Sequence, residues 1–189
     1  MLKNPILYSL PPAGHKIPLV DLIANMLGSS RERADDSNEF IRKYLGINHR
    51  VFYLSSGRAA LCLYLKTLST LRPERKEVIV PAYSCPSIVS AVLKAGLVPA
   101  LCDNNLDDLG YLYEELEKKL NNKSLAVIVV HLYGVPAKVN ELQGLCSKND
   151  VFLIEDAAQA FGNTFPESPD MKLGLAGDAG FFSMGRGKP

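Results

Sequence analysis

From residue 51 onwards, short runs of apolar residues alternate with longer stretches in which apolar residues recur every three or four positions. The short runs predict β-strands, and the longer stretches predict helices with one buried face. The predicted strands are 51–54, 77–80, 97–102, 125–130, 151–154 and 179–184, and the predicted helices are 57–71, 84–95, 111–120 and 137–148. Strands that alternate with helices across short connections indicate an α/β fold of three layers, in which helices cover both faces of a mostly parallel sheet.

The first fifty residues have a different pattern. Residues 1–17 hold three prolines and a glycine, which predicts an extended N-terminal arm of the kind that packs on a partner subunit. Helical spacing of apolar residues then predicts two helices, at 18–27 and 32–45, which Gly28 and Gly46 would end. We expect the 189 residues to form a single domain, because the length suits one domain and no linker interrupts the pattern.

Composition narrows the classes of function. With 21 basic and 20 acidic residues the net charge is +1, so electrostatics do not favour binding to nucleic acid or to an anionic membrane. No apolar run reaches transmembrane length and the N-terminus lacks the apolar core of a signal peptide, which makes the cytoplasm the expected location. The four cysteines form no C-x-x-C pair, so we expect free thiols and no metal site.

Candidate chemistry concentrates where the predicted parallel strands end. The strand at 151–154 runs directly into Glu155 and Asp156, and the last predicted strand carries Ser183, with Lys188 five residues further on. Open α/β sheets bind ligands at the carboxyl ends of their strands. Pyridoxal phosphate requires an amine for its aldehyde, a carboxylate for its pyridine nitrogen, and hydroxyl or N–H groups for its phosphate. Lys188, Asp156 and Ser183 could meet these requirements in that order.

Two other strand-to-helix turns offer contacts to the same ligand. In Ser55-Ser56-Gly57-Arg58, the N–H groups and the dipole of the following helix would attract a phosphate, which Arg58 could also bind directly. An ordinary helix N-cap explains this turn equally well. After the second strand, Tyr83 has the area to cover one face of a flat cofactor ring, although a half-buried core aromatic is the simpler interpretation.

The turns after the next two strands add three candidates. His131 and Tyr133 could line a substrate site, but a lone histidine at a strand end is more often structural. Gln159 lies three residues after Asp156, so a turn would let both face one ligand, with the Gln159 amide donating to a phenolate oxygen. Glu155 should point to the opposite side from Asp156, where it would orient neighbouring loops.

Several motifs occur together in the order and spacing of a known family. They are Ser55-Ser56-Gly57, Val78-Ile79-Val80-Pro81, His131-Leu132-Tyr133-Gly134, Glu155-Asp156-Ala157-Ala158-Gln159-Ala160, Gly177-Asp178, and Ser183 with Lys188. From about residue 17 to the end, the chain resembles the large domain of the DegT-type sugar aminotransferases, which are pyridoxal phosphate enzymes of the aspartate-aminotransferase fold (fold type I).

The resemblance implies a role for each motif. Lys188 would hold the cofactor as a Schiff base and then act as the general acid and base. Asp156 would pair with the pyridine nitrogen, Gln159 would contact the ring hydroxyl, and Ser183 with the Gly57-Arg58 turn would bind the phosphate. The resemblance also implies glutamate as the amino donor, a nucleotide-linked keto sugar as the acceptor, and a homodimer or larger assembly.

The chain also departs from this family. Arg58 stands where a threonine or serine is usual, and Cys85 stands where an aromatic ring usually stacks on the cofactor, so Tyr83 or Pro86 would have to compensate. Family members continue past the lysine into a further strand and a small C-terminal domain, which residues 1–189 do not include. That strand would lie between the one near Ala179 and the first one, so its absence would leave a gap inside the sheet.

Two expectations follow from the resemblance and the departures. The leading expectation is the cofactor-carrying N-terminal portion of an aminotransferase. The alternative is a truncated family member that acts as a non-catalytic binding or assembly module.

Overall fold

A computed structural model of the chain describes residues 30–184 and, before them, Leu19, Val20, Ile23 and Met26. These four residues have helical backbone and exposed side chains, in agreement with the predicted helix at 18–27. The remainder of that helix, the predicted arm at 1–17 and Lys188 lie outside the described residues. The chain divides into two compact units, and the sheet lies within the unit Tyr53–Ser183. The single-domain expectation for residues 1–189 stays a prediction.

The described elements alternate as the sequence pattern predicts. The helices are α1 (Ser30–Leu45), α2 (Gly57–Leu71), α3 (Pro86–Lys94), α4 (Tyr113–Lys119) and α5 (Val139–Lys148), with a short 3₁₀ turn at Leu132–Gly134. The strands are β1 (Glu77–Pro81), β2 (Val98–Cys102), β3 (Ser124–Val130), β4 (Phe152–Asp156), β5 (Thr164–Phe165), β6 (Ser168–Lys172) and β7 (Ala179–Phe181). Predicted and observed ends differ by at most two residues, except that the last strand ends at Phe181.

Five strands form one parallel sheet in the order β2-β1-β3-β4-β7. Strand β3 lies at the centre, and six of its seven residues are buried, as expected for a strand that is covered on both faces. The register pairs Val130 of β3 with Asp156 of β4, and Asp156 with Phe181 of β7. The carboxyl ends of these three strands are therefore level with one another.

Helices cover both faces of this sheet, because alternate strand residues point to opposite sides. On one face, the buried residues of α2 and α3 pack against Val78, Val80, Ile128 and Ile154. On the other face, the buried residues of α4 and α5 pack against Ile79, Val127, Val129 and Leu153. The predicted three-layer α/β fold is thus confirmed. Each fully buried leucine or isoleucine in these two clusters contributes about 1.5–3 kcal/mol.

The predicted strand at 51–54 does not form. Phe52, Tyr53 and Leu54 are 75%, 51% and 41% exposed, and their backbone belongs to no strand. Within the described part of the chain, β7 pairs with β4 alone, and residues 51–54 pair with no strand. A β-forming run without a pairing partner cannot satisfy its backbone groups as a strand, which explains the error.

The antiparallel pair β5 and β6 was not predicted. Pro166 and Pro169 interrupt this stretch, and proline is tolerated only where a strand does not need to donate a hydrogen bond. The pair lies outside the main sheet, in the connection between β4 and β7. In the described residues, no helix is long and apolar enough to cross a membrane.

Candidate functional site

The residues with candidate chemistry follow four neighbouring strands of the parallel sheet. Tyr83 comes two residues after β1, Tyr133 three residues after β3, and Ser183 two residues after β7, while Asp156 is the last residue of β4. Because parallel strands all point the same way, these positions share the carboxyl edge of the sheet. The structure therefore brings these four predicted site residues to one edge.

Asp156 is buried at this edge and held by hydrogen bonds. The residue is only 7% exposed, and its Oδ1 accepts a hydrogen bond from the Ala158 N–H at 2.9 Å. The backbone on either side is also held, because Ala157 N–H donates to the Phe181 carbonyl at 3.0 Å and His131 N–H donates to the Asp156 carbonyl at 3.0 Å. The carboxylate is thus fixed between the tips of β3 and β7.

The N-terminus of α2 lies beside the end of β7. A side-chain carbon added to Gly57 would be 3.5 Å from the Phe181 ring and 3.6 Å from the Phe182 carbonyl oxygen, so the helix begins next to the residues that precede Ser183. Ser56 is the N-cap, and its Oγ accepts from the Ala59 N–H at 3.2 Å. The N-cap interpretation is confirmed, and a phosphate contact by Gly57, Arg58 and Ser183 stays a prediction.

Tyr83, Tyr133 and Gln159 form a chain of hydrogen bonds across the edge. The hydroxyl groups of Tyr83 and Tyr133 are 3.1 Å apart, and the Tyr133 N–H donates to the Gln159 Oε1 at 2.7 Å. The hydrogen bond to Tyr83 raises the pKa of Tyr133 above that of an ordinary tyrosine. Since Oε1 of Gln159 is engaged, its NH₂ group is the end of the amide that can donate to a ligand.

The interpretation of Tyr83 as a core aromatic is wrong, because its side chain is 57% exposed. Asn104 supports it, with Oδ1 accepting from the Tyr83 N–H at 2.8 Å and Nδ2 donating to the Leu109 carbonyl at 2.7 Å. Asn104 was not among the residues predicted from the sequence. The available signal was its place two residues after β2, at the same carboxyl edge.

Cys85 is exposed and occupies the N-cap position of α3, where Ser87 Oγ donates to its sulfur at 3.0 Å. The other three cysteines are buried, and none of these four described residues is in a disulfide. Burial raises the pKa of the Cys102 thiol to about 11 and that of the Cys146 thiol to about 12. Among the described residues, no cluster of side chains could hold a metal ion.

His131 and Glu155 form a buried pair beneath the edge. Both side chains are fully buried, and His131 Nε2 lies 2.9 Å from Glu155 Oε2, while His131 Nδ1 accepts from the Ala137 N–H at 3.2 Å. The expectation that His131 lines a substrate site is therefore wrong, and its structural interpretation is confirmed. Glu155 accepts hydrogen bonds from the N–H groups of Gly174, Ala176 and Gly177, so it does orient a neighbouring loop.

A groove of about 790 Å³ borders Tyr83 at the β1 and β2 end of the edge. Its walls come from the turns after these two strands and include Asp103, Asn104, Leu106 and Asp107. Tyr83 lines it but Asp156 and Ser183 do not, so this concavity does not mark the position of those two candidate cofactor residues.

Residues 24–189 match the sequence model of the DegT/DnrJ/EryC1/StrS aminotransferase family. The chain belongs to this family. Its members are pyridoxal phosphate-dependent aminotransferases. Family membership and the α/β fold therefore agree with the resemblance found in the sequence motifs.

Two curated relatives illustrate the range of the family. GDP-perosamine synthase of Vibrio cholerae is 31% identical over 167 residues, which are 88% of this chain and 44% of the relative. An L-glutamine:2-deoxy-scyllo-inosose aminotransferase of Streptomyces fradiae is 34% identical over 177 residues, with coverage of 88% and 40%. The chain thus spans less than half the length of these curated relatives.

Solved structures show the same partial match. A putative sugar aminotransferase of Streptococcus pneumoniae, in its PLP-form, superposes with a TM-score of 0.82 at 22% identity, covering 96% of this chain and 50% of that one. AtS13 from Actinomadura melliaura superposes with a TM-score of 0.78 at 28% identity, covering 90% and 46%. The shared fold therefore extends over nearly the whole of this chain.

Proposed function

We propose that this chain is the cofactor-carrying part of a pyridoxal phosphate-dependent aminotransferase that transfers an amino group from glutamate to a keto group of a nucleotide-linked sugar. The observation that carries the proposal is the common edge shared by Asp156, Gln159, Ser183 and the N-terminus of α2. Family membership supports the reaction class, and the geometry supports the residue roles.

The residues at this edge fit the chemical groups of the cofactor. Asp156, a buried carboxylate, would keep the pyridine nitrogen protonated, because a nearby negative charge favours the positively charged form of the ring. The NH₂ group of Gln159 would donate to the ring hydroxyl, because its Oε1 is already bonded to Tyr133. The N–H groups at the start of α2 and the Ser183 hydroxyl would bind the phosphate, with the helix dipole adding attraction.

Bound at this edge, pyridoxal phosphate would supply the electron sink that amino-group transfer needs. Asp156 would keep that sink effective by holding the proton on the ring nitrogen. Lys188, which lies outside the described residues, would supply the amine that binds the cofactor aldehyde, and its Nζ would take and return the proton at the substrate carbon. Tyr83 would cover the ring face that Cys85 cannot cover, since the exposed phenol lies at the same edge.

The choice of substrates is the finer part of the proposal. The two relatives are named for different substrates. One is a GDP-perosamine synthase, and the other is an L-glutamine:2-deoxy-scyllo-inosose aminotransferase. We choose glutamate and a nucleotide-linked keto sugar, with Tyr133 as the candidate substrate contact. We further propose that the enzyme works as a homodimer in the cytoplasm. Size-exclusion chromatography with light scattering would test the homodimer.

A single-turnover experiment tests the reaction. The chain is loaded with pyridoxal phosphate, freed of excess cofactor and mixed with L-glutamate or L-glutamine, and the 2-oxo acid released is quantified. We expect about one equivalent of 2-oxoglutarate per bound cofactor from L-glutamate and none from the Lys188→Ala chain. A nucleotide-linked keto sugar added next should consume the amino group and return the cofactor to its starting spectrum.

Two results would contradict the proposal. Release of a 2-oxo acid from L-glutamine but not from L-glutamate would show that glutamine, and not glutamate, is the amino donor. Bound cofactor that reacts with neither donor would overturn the aminotransferase assignment for this chain in favour of a non-catalytic binding or assembly module.

A further inference from the structure

Glu155 is the most fully bonded side chain beneath the candidate site. It is completely buried, and four donors surround its carboxylate. Oε1 accepts from the N–H groups of Ala176 and Gly177, each at 2.6 Å, and Oε2 accepts from the Gly174 N–H at 2.9 Å and lies 2.9 Å from His131 Nε2. None of the roles proposed above for cofactor binding uses this residue.

The hydrogen bonds around this carboxylate set the direction in which its pKa shifts. His131 Nδ1 accepts from the Ala137 N–H, so the ring carries its proton on Nε2 and donates it to Glu155. Burial by itself would raise the pKa of Glu155, but the hydrogen bonds from His131, Gly177 and Gly174 outweigh burial and lower it below the ordinary value. All four hydrogen bonds thus run towards the Glu155 carboxylate, which acts as the acceptor in each.

The loop that Glu155 holds packs directly on β7. A side-chain carbon added to Gly180 would lie 1.9 Å from the Gly174 carbonyl oxygen, and one added to Gly174 would lie 2.6 Å from Phe182 Cζ. These approaches leave no room between loop 173–177 and the strand, so a shift of the loop must shift the strand. Phe182 also lies against the start of α2, next to Gly57, and directly precedes Ser183.

We infer that Glu155 is a positioning residue for the phosphate end of the cofactor site. Through loop 173–177 it fixes β7 and Phe182, and these in turn set Ser183 beside the N-terminus of α2. The inference rests on the proposed function, because it assigns the phosphate of pyridoxal phosphate to Ser183 and Gly57.

Glutamine at this position would break the arrangement without changing the size of the side chain. Its NH₂ group would face one pair of the four donors, so two N–H groups now bonded to the carboxylate would lose their acceptor. Asp150→Asn is a matched control, because it also converts a carboxylate to an amide. Asp150 forms ion pairs with Arg72 at 2.6 Å and Arg75 at 3.3 Å, before β4 and hence at the opposite edge of the sheet.

The test compares pyridoxal phosphate with pyridoxal, which lacks the phosphate. Dissociation constants for both ligands are measured by absorption titration for the wild-type chain, Glu155→Gln, Ser183→Ala, the double variant and Asp150→Asn. We expect Glu155→Gln and Ser183→Ala each to weaken pyridoxal phosphate binding about tenfold or more while pyridoxal changes little. The double variant should be weakened by much less than the product of the two effects, since both act on one phosphate contact. Asp150→Asn should leave the ratio of the two affinities unchanged.

Other outcomes separate the inference from the proposed function. If Glu155→Gln weakens the binding of both ligands equally, Glu155 is only structural. The same holds if the losses of affinity from Glu155→Gln and Ser183→Ala multiply in the double variant. In either case the inference fails while the proposed function stands. If the wild-type chain binds no pyridoxal phosphate, both fail. Should Glu155→Gln not fold, His131→Leu removes one of the four donors and keeps the three loop bonds, and it should show a smaller loss specific to the phosphorylated ligand. An equal loss for both ligands in that variant would overturn the inference.

Discussion

Single residues at the carboxyl edge divide into those that can meet a ligand and those that support the edge from below. Asp156 and Glu155 are adjacent in β4 and point to opposite sides, so one carboxylate serves the edge and the other holds loop 173–177. Tyr133 has a left-handed backbone, with φ of 56°, which is unusual for a residue with a side chain. This conformation accompanies the hydrogen bond that orients Gln159.

Thiol reactivity reports on the exposure of Cys85. We expect this thiol alone to react rapidly with a disulfide reagent in the native chain, because Cys62, Cys102 and Cys146 are buried and burial raises the pKa of the last two. All four should react after unfolding, and Cys85→Ser should abolish the rapid phase. Pyridoxal phosphate should slow the reaction if Cys85 faces the cofactor. A rapid rate that the bound cofactor leaves unchanged would place Cys85 away from the site.

Acid should destabilise the chain through Glu155. Its pKa is lower in the folded chain than in the unfolded one, so its stabilising contribution is present above the unfolded pKa and is lost as the pH falls through the folded pKa. His131 is the titratable group that faces it. Urea unfolding of the wild-type chain should become easier below about pH 4, and the free energy of unfolding of Glu155→Gln should depend less on pH, by up to about 1.4 kcal/mol per pH unit. Identical pH dependence in both chains would show that Glu155 is not ionised when folded.

Among the elements, β7 and the loop before it tolerate no added bulk. Gly177 lies against the Leu153 carbonyl, Asp178 Oδ2 accepts from the Leu153 N–H at 2.8 Å, and Gly180 lies against Gly174. Backbone touches backbone at these points, so only glycine fits at positions 177 and 180. The connection between β4 and β7 thus acts as one tightly packed piece that carries Ser183.

Two glycine substitutions should change the free energy of unfolding in opposite directions, one in this packing and one outside it. Gly180→Ala places a methyl carbon 1.9 Å from the Gly174 carbonyl oxygen, so we expect a destabilisation of about 1–3 kcal/mol or more. Gly144 lies inside α5 with nothing within 4 Å of an added carbon, so Gly144→Ala should stabilise by about 0.5–1 kcal/mol. Urea denaturation measures both. A neutral Gly180→Ala would mean that the loop and β7 are not in tight contact.

The predictable elements were those whose pattern depends on burial alone. Strand β3 and helix α2 could be read from the sequence because a continuous apolar run and a three-to-four repeat have few alternative structures. Residues 51–54 have the same β-forming character, but a strand also needs a neighbour, and pairing between distant segments leaves no local signal. The β5 and β6 pair was missed because its prolines resemble those of a loop.

At the scale of the whole molecule, the carboxyl edge could be predicted and its internal contacts could not. Chain order and the parallel sheet were enough to bring Asp156, Tyr83 and Ser183 to one edge. The hydrogen bond between Tyr83 and Tyr133 and the burial of His131 depend on side-chain packing across strands, which periodicity does not encode. The family match spans 24–189, so the fold and the edge belong to the shared part of these proteins.

The measurement that tests the central claim most directly is the visible absorption spectrum of the chain after addition of pyridoxal phosphate and removal of the excess, followed by borohydride reduction and peptide mapping. We predict a visible band in the wild-type chain, the mass of the reduced cofactor on the peptide that contains Lys188, and a changed band in Asp156→Asn, whose side chain cannot hold the ring proton as a carboxylate does. Lys188→Ala should show neither the band nor the labelled peptide. Absence of the band from the wild-type chain, or label on a different lysine, would contradict the claim that this edge of the sheet carries pyridoxal phosphate.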